Sequence, residues 1–293
     1  MKKTLKTIIF FGSGPVAAKS LDFLSKNFSI EAVITKYVPP HHKSPAPVET
    51  LARSLQLPTY FANTKSELDD IAIKHNFNSK LGIIIDYGVI VSRKVIDIFE
   101  LGIINSHFSL LPEWRGADPI TFSILSGQKK TGVSLMVIEP DLDTGKLIAR
   151  KSLIIDNEET TPSLTDKLIN LSNQMLIDYV PKYEEGLIKP KNQPHPDRAT
   201  YSRKITKNDG HIDWDKKTAE QIEREIRAYI EWPRSYASLL NNKIIITKAH
   251  IANEIKNKLD ITCADNKILS IDELIAPSGK KMGSNSFLNG YRA

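Results

Sequence analysis

One cysteine in 293 residues, Cys263, excludes an internal disulfide and any zinc site built on several thiolates. Its neighbours Leu259, Ile261 and Ile268 alternate as in a strand, so the thiol is expected in a strand core rather than as a nucleophile. Long apolar runs are equally scarce. Ile83-Ile84-Ile85 and Ile244-Ile245-Ile246 fall far below the roughly 18 apolar residues of a membrane helix. The basic start, Met1 to Lys6, runs into Ile8-Ile9-Phe10-Phe11 and a glycine turn without a signal-peptide core, which predicts a cytoplasmic protein with no membrane partner. No repeat or low-complexity segment interrupts the chain. His41-His42-Lys43, bracketed by prolines, has no third histidine or carboxylate at ligand spacing, and no metal is expected.

What is present fits a folded protein. Hydrophobic residues make up 41% and charged residues 25%, which argues against disorder, and the length predicts two domains. The net charge of +6 is unevenly spread. Residues 1–185 hold 21 basic and 21 acidic side chains, and the remaining residues hold 19 and 13, so the whole excess lies in the last third. That third is the candidate for a polyanionic partner, against the alternative that a mildly basic surface only aids solubility.

From Thr7 to about Leu153 short β-branched runs alternate with stretches of helical period, the pattern of a parallel sheet flanked by helices. Strands are predicted at Thr7–Phe11, Glu31–Thr35, Leu81–Asp86, Gly102–Asn105 and Val133–Ile138. Helices are predicted at Val16–Lys26, Pro47–Leu55, Ser66–His75, Arg93–Phe99 and Ala117–Ser126, with a longer one at Thr161–Val180. The fold class is therefore α/β, with a Rossmann-like, mostly parallel sheet. Gly12-Ser13-Gly14 with Ala17 fits the dinucleotide fingerprint only loosely. The second strand ends Ile34-Thr35-Lys36, without the acidic residue that holds a ribose, so a structural turn is the preferred reading.

Lys189 to Pro196 has no periodicity and carries Pro190, Pro194 and Pro196, which reads as a linker. The boundaries expected are a catalytic domain over 1–187, a linker over 188–203 and a second domain over 204–293. A helix at about Lys217–Tyr229 and alternating segments at Tyr236–Leu240, Lys243–Ala249 and Ile268–Glu273 predict a small OB-fold-like β-barrel there.

The chemistry concentrates in Asn105-Ser106-His107-Phe108-Ser109-Leu110-Leu111-Pro112, followed by Trp114-Arg115-Gly116 and, further on, Asp143-Thr144-Gly145. An amide can donate to a developing oxyanion, an imidazole can exchange a proton near pH 7, and a carboxylate can orient that imidazole. Asn105 and His107 sit two apart at the end of a predicted strand and so project from one edge. A lone histidine is usually a satisfied structural group, but the paired amide and the distant carboxylate favour a site for acyl transfer. Asp143 is preferred to Asp141 because Thr144-Gly145 allows the chain to turn sharply.

These residues resemble the folate-dependent formyltransferase superfamily, and within it the methionyl-tRNA formyltransferases. The resemblance covers nearly the whole chain: the first strand and turn, Asp86-Tyr87-Gly88, Asn105 to Gly116, Thr131-Gly132-Val133 with Leu142 to Gly145, Arg203 to Trp214, Trp232-Pro233, and Pro277 to Met282 with Phe287 to Gly290. It implies that 10-formyltetrahydrofolate is the donor and that the α-amino group of methionyl initiator tRNA is the acceptor. It also implies that Asn105, His107 and Asp143 are catalytic, that Ser109, Leu110, Leu111 and Pro112 line the folate site, and that Tyr87, Gly88, Val89 and Ile90 form part of the pterin pocket. A monomer without metal is expected. A sugar-nucleotide N-formyltransferase and a non-catalytic tRNA-binding protein are the alternatives. Two local departures stand out: Tyr37 to Ser44 is short where the tRNA enzymes carry a longer basic loop, and Asp86 occupies a position that is often small or apolar.

Overall fold

The computed structural model describes residues 6–39 and 46–291, so His41-His42-Lys43 lies outside the described residues. The first elements follow the predicted alternation: β1 (Thr7–Phe11), α1 (Pro15–Leu24), β2 (Ser29–Thr35), α2 (Pro47–Ser54), β3 (Thr59–Phe61), α3 (Lys65–Lys74), β4 (Gly82–Ile84), α4 (Arg93–Ile96) and β5 (Ile103–His107). Next come β6 (Arg115–Gly116), α5 (Pro119–Leu125), β7 (Lys130–Val137), β8 (Leu147–Ile154) and α6 (Thr161–Glu184). The remainder is β9 (Tyr201–Ser202), α7 (Ala219–Ala228), β10 (Ser235–Leu239), β11 (Asn242–Ala252), β12 (Asp260–Thr262), β13 (Ile268–Ile275), β14 (Lys281–Gly283) and α8 (Ser284–Gly290).

The fold is α/β, as the sequence predicts. Seven strands form one sheet in the order β3-β2-β1-β4-β5-β7-β8. The first five of these run parallel, and β7 pairs antiparallel with β5. β1 is apolar from Ile8 to Phe11 and fully buried there, as a strand covered on both faces must be. Local signals set the helix starts. Thr64 and Glu67 close a capping box on α3, Ser92 accepts from the Val95 N–H at the start of α4, and Thr218 with Gln221 closes a second box on α7.

The differences from the predicted elements have local causes. β4 stops at Ile84 rather than Asp86, because Asp86 (φ 47°) and Gly88 (φ 67°) turn left-handed and leave the extended region. β5 continues two residues past Asn105 because β7 supplies new partners where β4 ends: Asn105 pairs with Met136 and His107 with Ser134. The short edge strand β3, the edge strand β8 and the terminal helix α8 were not anticipated; three residues in β3 are too few for a period to show.

By Cα proximity the chain divides into two compact units. The first comprises Met1–Pro119, Thr131–Leu153 and Thr165–Tyr201, and the second comprises Ile120–Lys130, Ile154–Leu164 and Ser202–Ala293. Residues 188–201, expected as linker, thus belong to the first unit, where Lys191 exchanges both backbone hydrogen bonds with Leu147 and the Arg115 N–H donates to Thr200 O. Hydrogen bonds hold the two short excursions within the second unit: Arg224 Nε donates to Leu125 O, Thr161 Oγ1 to Ala228 O and Arg227 Nη1 to Glu159 O. The second unit carries an antiparallel half-barrel sheet ordered β10-β11-β13-β12, with β14 on β13. Its core includes Ile222, Ile244, Leu269, Leu274 and Phe287. Cys263 is buried in that core, and desolvation there raises its thiol pKa, which suits a packing role.

Candidate active site

β5 delivers Asn105 and His107 to the carboxyl edge of the parallel strands, and the loop between β7 and β8 brings Asp143 to the same place. Asp143 is the hub. Its Oδ2 accepts the Gly116 N–H at 2.7 Å, its Oδ1 accepts Asn105 Nδ2 at 3.5 Å, and His107 Nδ1 lies 3.7 Å from Oδ2. The His107 and Asp143 side chains are only 6% and 12% exposed, so these contacts act in a medium that screens weakly.

The other imidazole nitrogen is already committed. His107 Nε2 lies 2.9 Å from the Trp114 carbonyl, which can only accept, so Nε2 carries a proton in this arrangement. Nδ1, facing Asp143, is therefore the nitrogen that can take up and release a proton, and an Nδ1–H would point at a carboxylate. The sharp turn expected at Thr144-Gly145 begins at Asp143 itself, which has φ 50°.

A brace that sequence reasoning missed holds this turn. Gln193 Nε2 donates to the carbonyls of Asp143 (2.7 Å) and Gly145 (3.0 Å), while its Oε1 accepts Arg115 Nη2 at 2.8 Å. Gln193 lies in the segment expected to be a linker, where the three prolines were the only strong local signal.

The residues expected around the folate divide into two kinds. Ser109 and Leu111 are buried and shape the loop: Ser109 Oγ donates to Glu113 O, Ser134 Oγ donates to Ser109 O, and Leu111 N–H donates to Ser134 Oγ. Leu110 and Pro112 instead line an open cleft. Of the residues expected in the pterin pocket, Tyr87 turns into the core and donates its hydroxyl to Ala62 O, and burial raises its phenol pKa. Val89 packs against the same core, Gly88 O accepts Lys36 Nζ, and Ile90 is 72% exposed.

Asp86 stands apart from these. Its side chain is open to solvent on one side, yet Gly14 approaches so closely that a β-carbon there would lie 1.9 Å from Oδ2. Desolvation pushes its pKa up to about 6, with Lys36 opposing the shift and Asp118 adding to it. The folded chain thus binds more protons than the unfolded one between the two pKa values, so the cost to stability is absent below about pH 4 and complete above about 6. Asp86→Asn is expected to stabilise the protein at pH 8 by about 1 kcal/mol, a modest gain because solvent screens the group. Urea denaturation at pH 8 and pH 4.5 checks this; an equal gain at both values would contradict it.

Among the described residues no helix is long and apolar enough to cross a membrane, and no group of three or more His, Cys, Asp or Glu side chains is placed to hold a metal ion.

Comparison with known proteins adds an independent observation. The profile of the formyl transferase family matches residues 6–180, and that of the formyl transferase C-terminal domain matches residues 204–292. Among solved structures, an N-formyltransferase from Helicobacter canadensis, in complex with folinic acid and dTDP-3-aminofucose, is 20% identical with a TM-score of 0.70, covering 91% of this chain and 98% of its own. A 4-N formyltransferase from Francisella tularensis is 17% identical with a TM-score of 0.65, covering 87% of this chain and 100% of its own. HypX from Aquifex aeolicus, in complex with tetrahydrofolic acid, is 13% identical with a TM-score of 0.66; it covers 99% of this chain, which spans 48% of HypX. At these identities the likeness is one of fold.

Proposed function

Given that the chain belongs to the formyl transferase family, with the N-terminal and C-terminal domains both represented, we propose that it moves the formyl group of 10-formyltetrahydrofolate onto the α-amino group of methionyl initiator tRNA. The convergence of Asn105 Nδ2, His107 Nδ1 and the Asp143 carboxylate carries the chemistry. Attack of a neutral amine on the formyl carbon places negative charge on oxygen, and Asn105 together with a protonated His107 can stabilise it. Asp143, 3.7 Å from Nδ1, orients the imidazole. The Nδ1–H of the cationic His107 gives its proton to the departing nitrogen of the folate as the carbon–nitrogen bond to the donor breaks, and the ammonium formed on the attacking amine returns a proton to Nδ1.

The acceptor reading draws on the basic last third of the sequence. In the second unit Lys204, Lys207, Arg234, Lys258 and Lys280 are exposed and form no ion pair among the described residues, which leaves them available to phosphates. Arg203, by contrast, is held by Asp209, whose carboxylate also receives the Thr206 N–H. A second reading, transfer to an amino sugar on a nucleotide, is favoured by the dTDP-3-aminofucose bound in the Helicobacter protein.

Labelled formyl transfer measured in parallel on methionyl initiator tRNA and on dTDP-linked amino sugars separates the two. We expect at least a hundredfold higher kcat/KM for the tRNA. Transfer confined to the sugar would replace the first reading by the second, and a bound tRNA with no transfer to either would favour a non-catalytic tRNA-binding protein.

A further inference from the structure

A cleft of about 600 Å³ opens in the first unit, lined in part by Leu110, Pro112 and Glu113. Arg150 from β8 and Arg198 line it together with His195, while Pro112 and Pro194 contribute rigid walls. Arg150 is fixed in place by an Nη1 hydrogen bond to Leu111 O at 2.7 Å, which leaves its remaining guanidinium donors available. The Arg198 side chain has no hydrogen-bond or ion-pair partner among the described residues. One carboxylate, Glu113, also lines the cleft and forms no ion pair with either arginine. Two guanidinium groups around one cleft with a single acidic neighbour leave an excess of positive charge and forked donors suited to oxyanions.

The cleft is one loop away from the catalytic imidazole. Glu113 lines it, and the carbonyl of the next residue, Trp114, holds His107 Nε2; Leu111, whose carbonyl anchors Arg150, lies in the same loop. One loop thus supplies both a wall of the cleft and the partner of His107. We propose that this cleft is an oxyanion-binding site that anchors the charged end of one of the two substrates. The proposal rests on the formyl-transfer reading. The oxyanions have two possible sources: the carboxylates of the donor's glutamate tail, or a phosphate group of the acceptor.

Titration calorimetry on the 293-residue chain distinguishes them, with 5-formyltetrahydrofolate bearing one or three glutamates as one arm and inorganic pyrophosphate as the other. Arg198→Ala is the main variant, because its side chain supports no other contact. Arg150→Lys retains the charge of the second arginine while removing its fork. We expect Arg198→Ala to weaken one ligand class at least tenfold, and Arg150→Lys to weaken the same class. Loss confined to the triglutamyl folate assigns the site to the donor, and loss confined to pyrophosphate assigns it to the acceptor. If both ligands bind the wild type and Arg198→Ala within threefold of each other, the proposal fails. Formyl transfer assayed separately on the same wild-type sample keeps that failure distinct from a failure of the formyl-transfer reading.

Discussion

Replacing Asp143 with asparagine should lower the turnover number for formyl transfer about a thousandfold or more while leaving the fold intact. The carboxylate accepts from Gly116 N–H and Asn105 Nδ2 and faces His107 Nδ1 at 3.7 Å, and an amide cannot serve all three. If the new carbonyl accepts the Gly116 N–H, the new amino group takes the place of Oδ1 and faces Asn105 Nδ2 with donor against donor. Asn105 then swings away from the position where an oxyanion forms, and a cationic imidazole loses its counter-charge. Asn105→Ala removes a single donor and should cost about 10² to 10³ in kcat, with the acceptor KM little changed, because the interaction is made in the transition state. Steady-state kinetics with the acceptor identified by the labelled assay, alongside thermal melts, measure both effects. A kcat for Asp143→Asn within tenfold of wild type would remove Asp143 from the catalytic set.

Much of this site can be read from the chain because its parts announce themselves locally. Asn105 and His107 are two residues apart in a strand, and a period of 2 places them on one face whatever the strand pairs with. The first three helices carry proline or capping residues at their starts. What could not be read depends on partners distant in sequence. The reach of β5 to His107 is set by β7, and the role of Gln193 is set by the carbonyls of Asp143 and Gly145 and by Arg115. A glutamine between prolines carries no signal of the turn it braces. Tyr87 shows the same limit from the other side: its motif places it near the donor, but its ring faces the core, because the left-handed turns at Asp86 and Gly88 point Tyr87 inward between them.

The dependence of Asp143 on its surroundings makes Gly145→Ala a damaging substitution for both stability and turnover. A β-carbon on Gly145 would lie 1.9 Å from the carbonyl oxygen of Val137, an atom of strand backbone that cannot rotate away. The Val137 N–H is itself bonded to Lys146 O at 2.9 Å, so the segment after Asp143 is stitched to the end of β7 and the contact cannot be relieved by moving Gly145 alone. Separating the two breaks that hydrogen bond or the pair that Gln193 makes to the carbonyls of Asp143 and Gly145. The expected loss of stability is about 3 kcal/mol, at the upper end for overpacking because backbone rather than a flexible side chain must yield. Asp143 precedes the clash by only two residues, and a displacement near 1 Å at a positioned group costs about a hundredfold in rate. Both losses should therefore appear together in a denaturant titration and in kcat. The control is Gly290→Ala in α8, where a β-carbon meets nothing within 4 Å and neither quantity should fall. A Gly145→Ala protein with wild-type stability and turnover would mean that the turn is loose, and that Asp143 is positioned by the Gly116 and Asn105 donors rather than by its backbone.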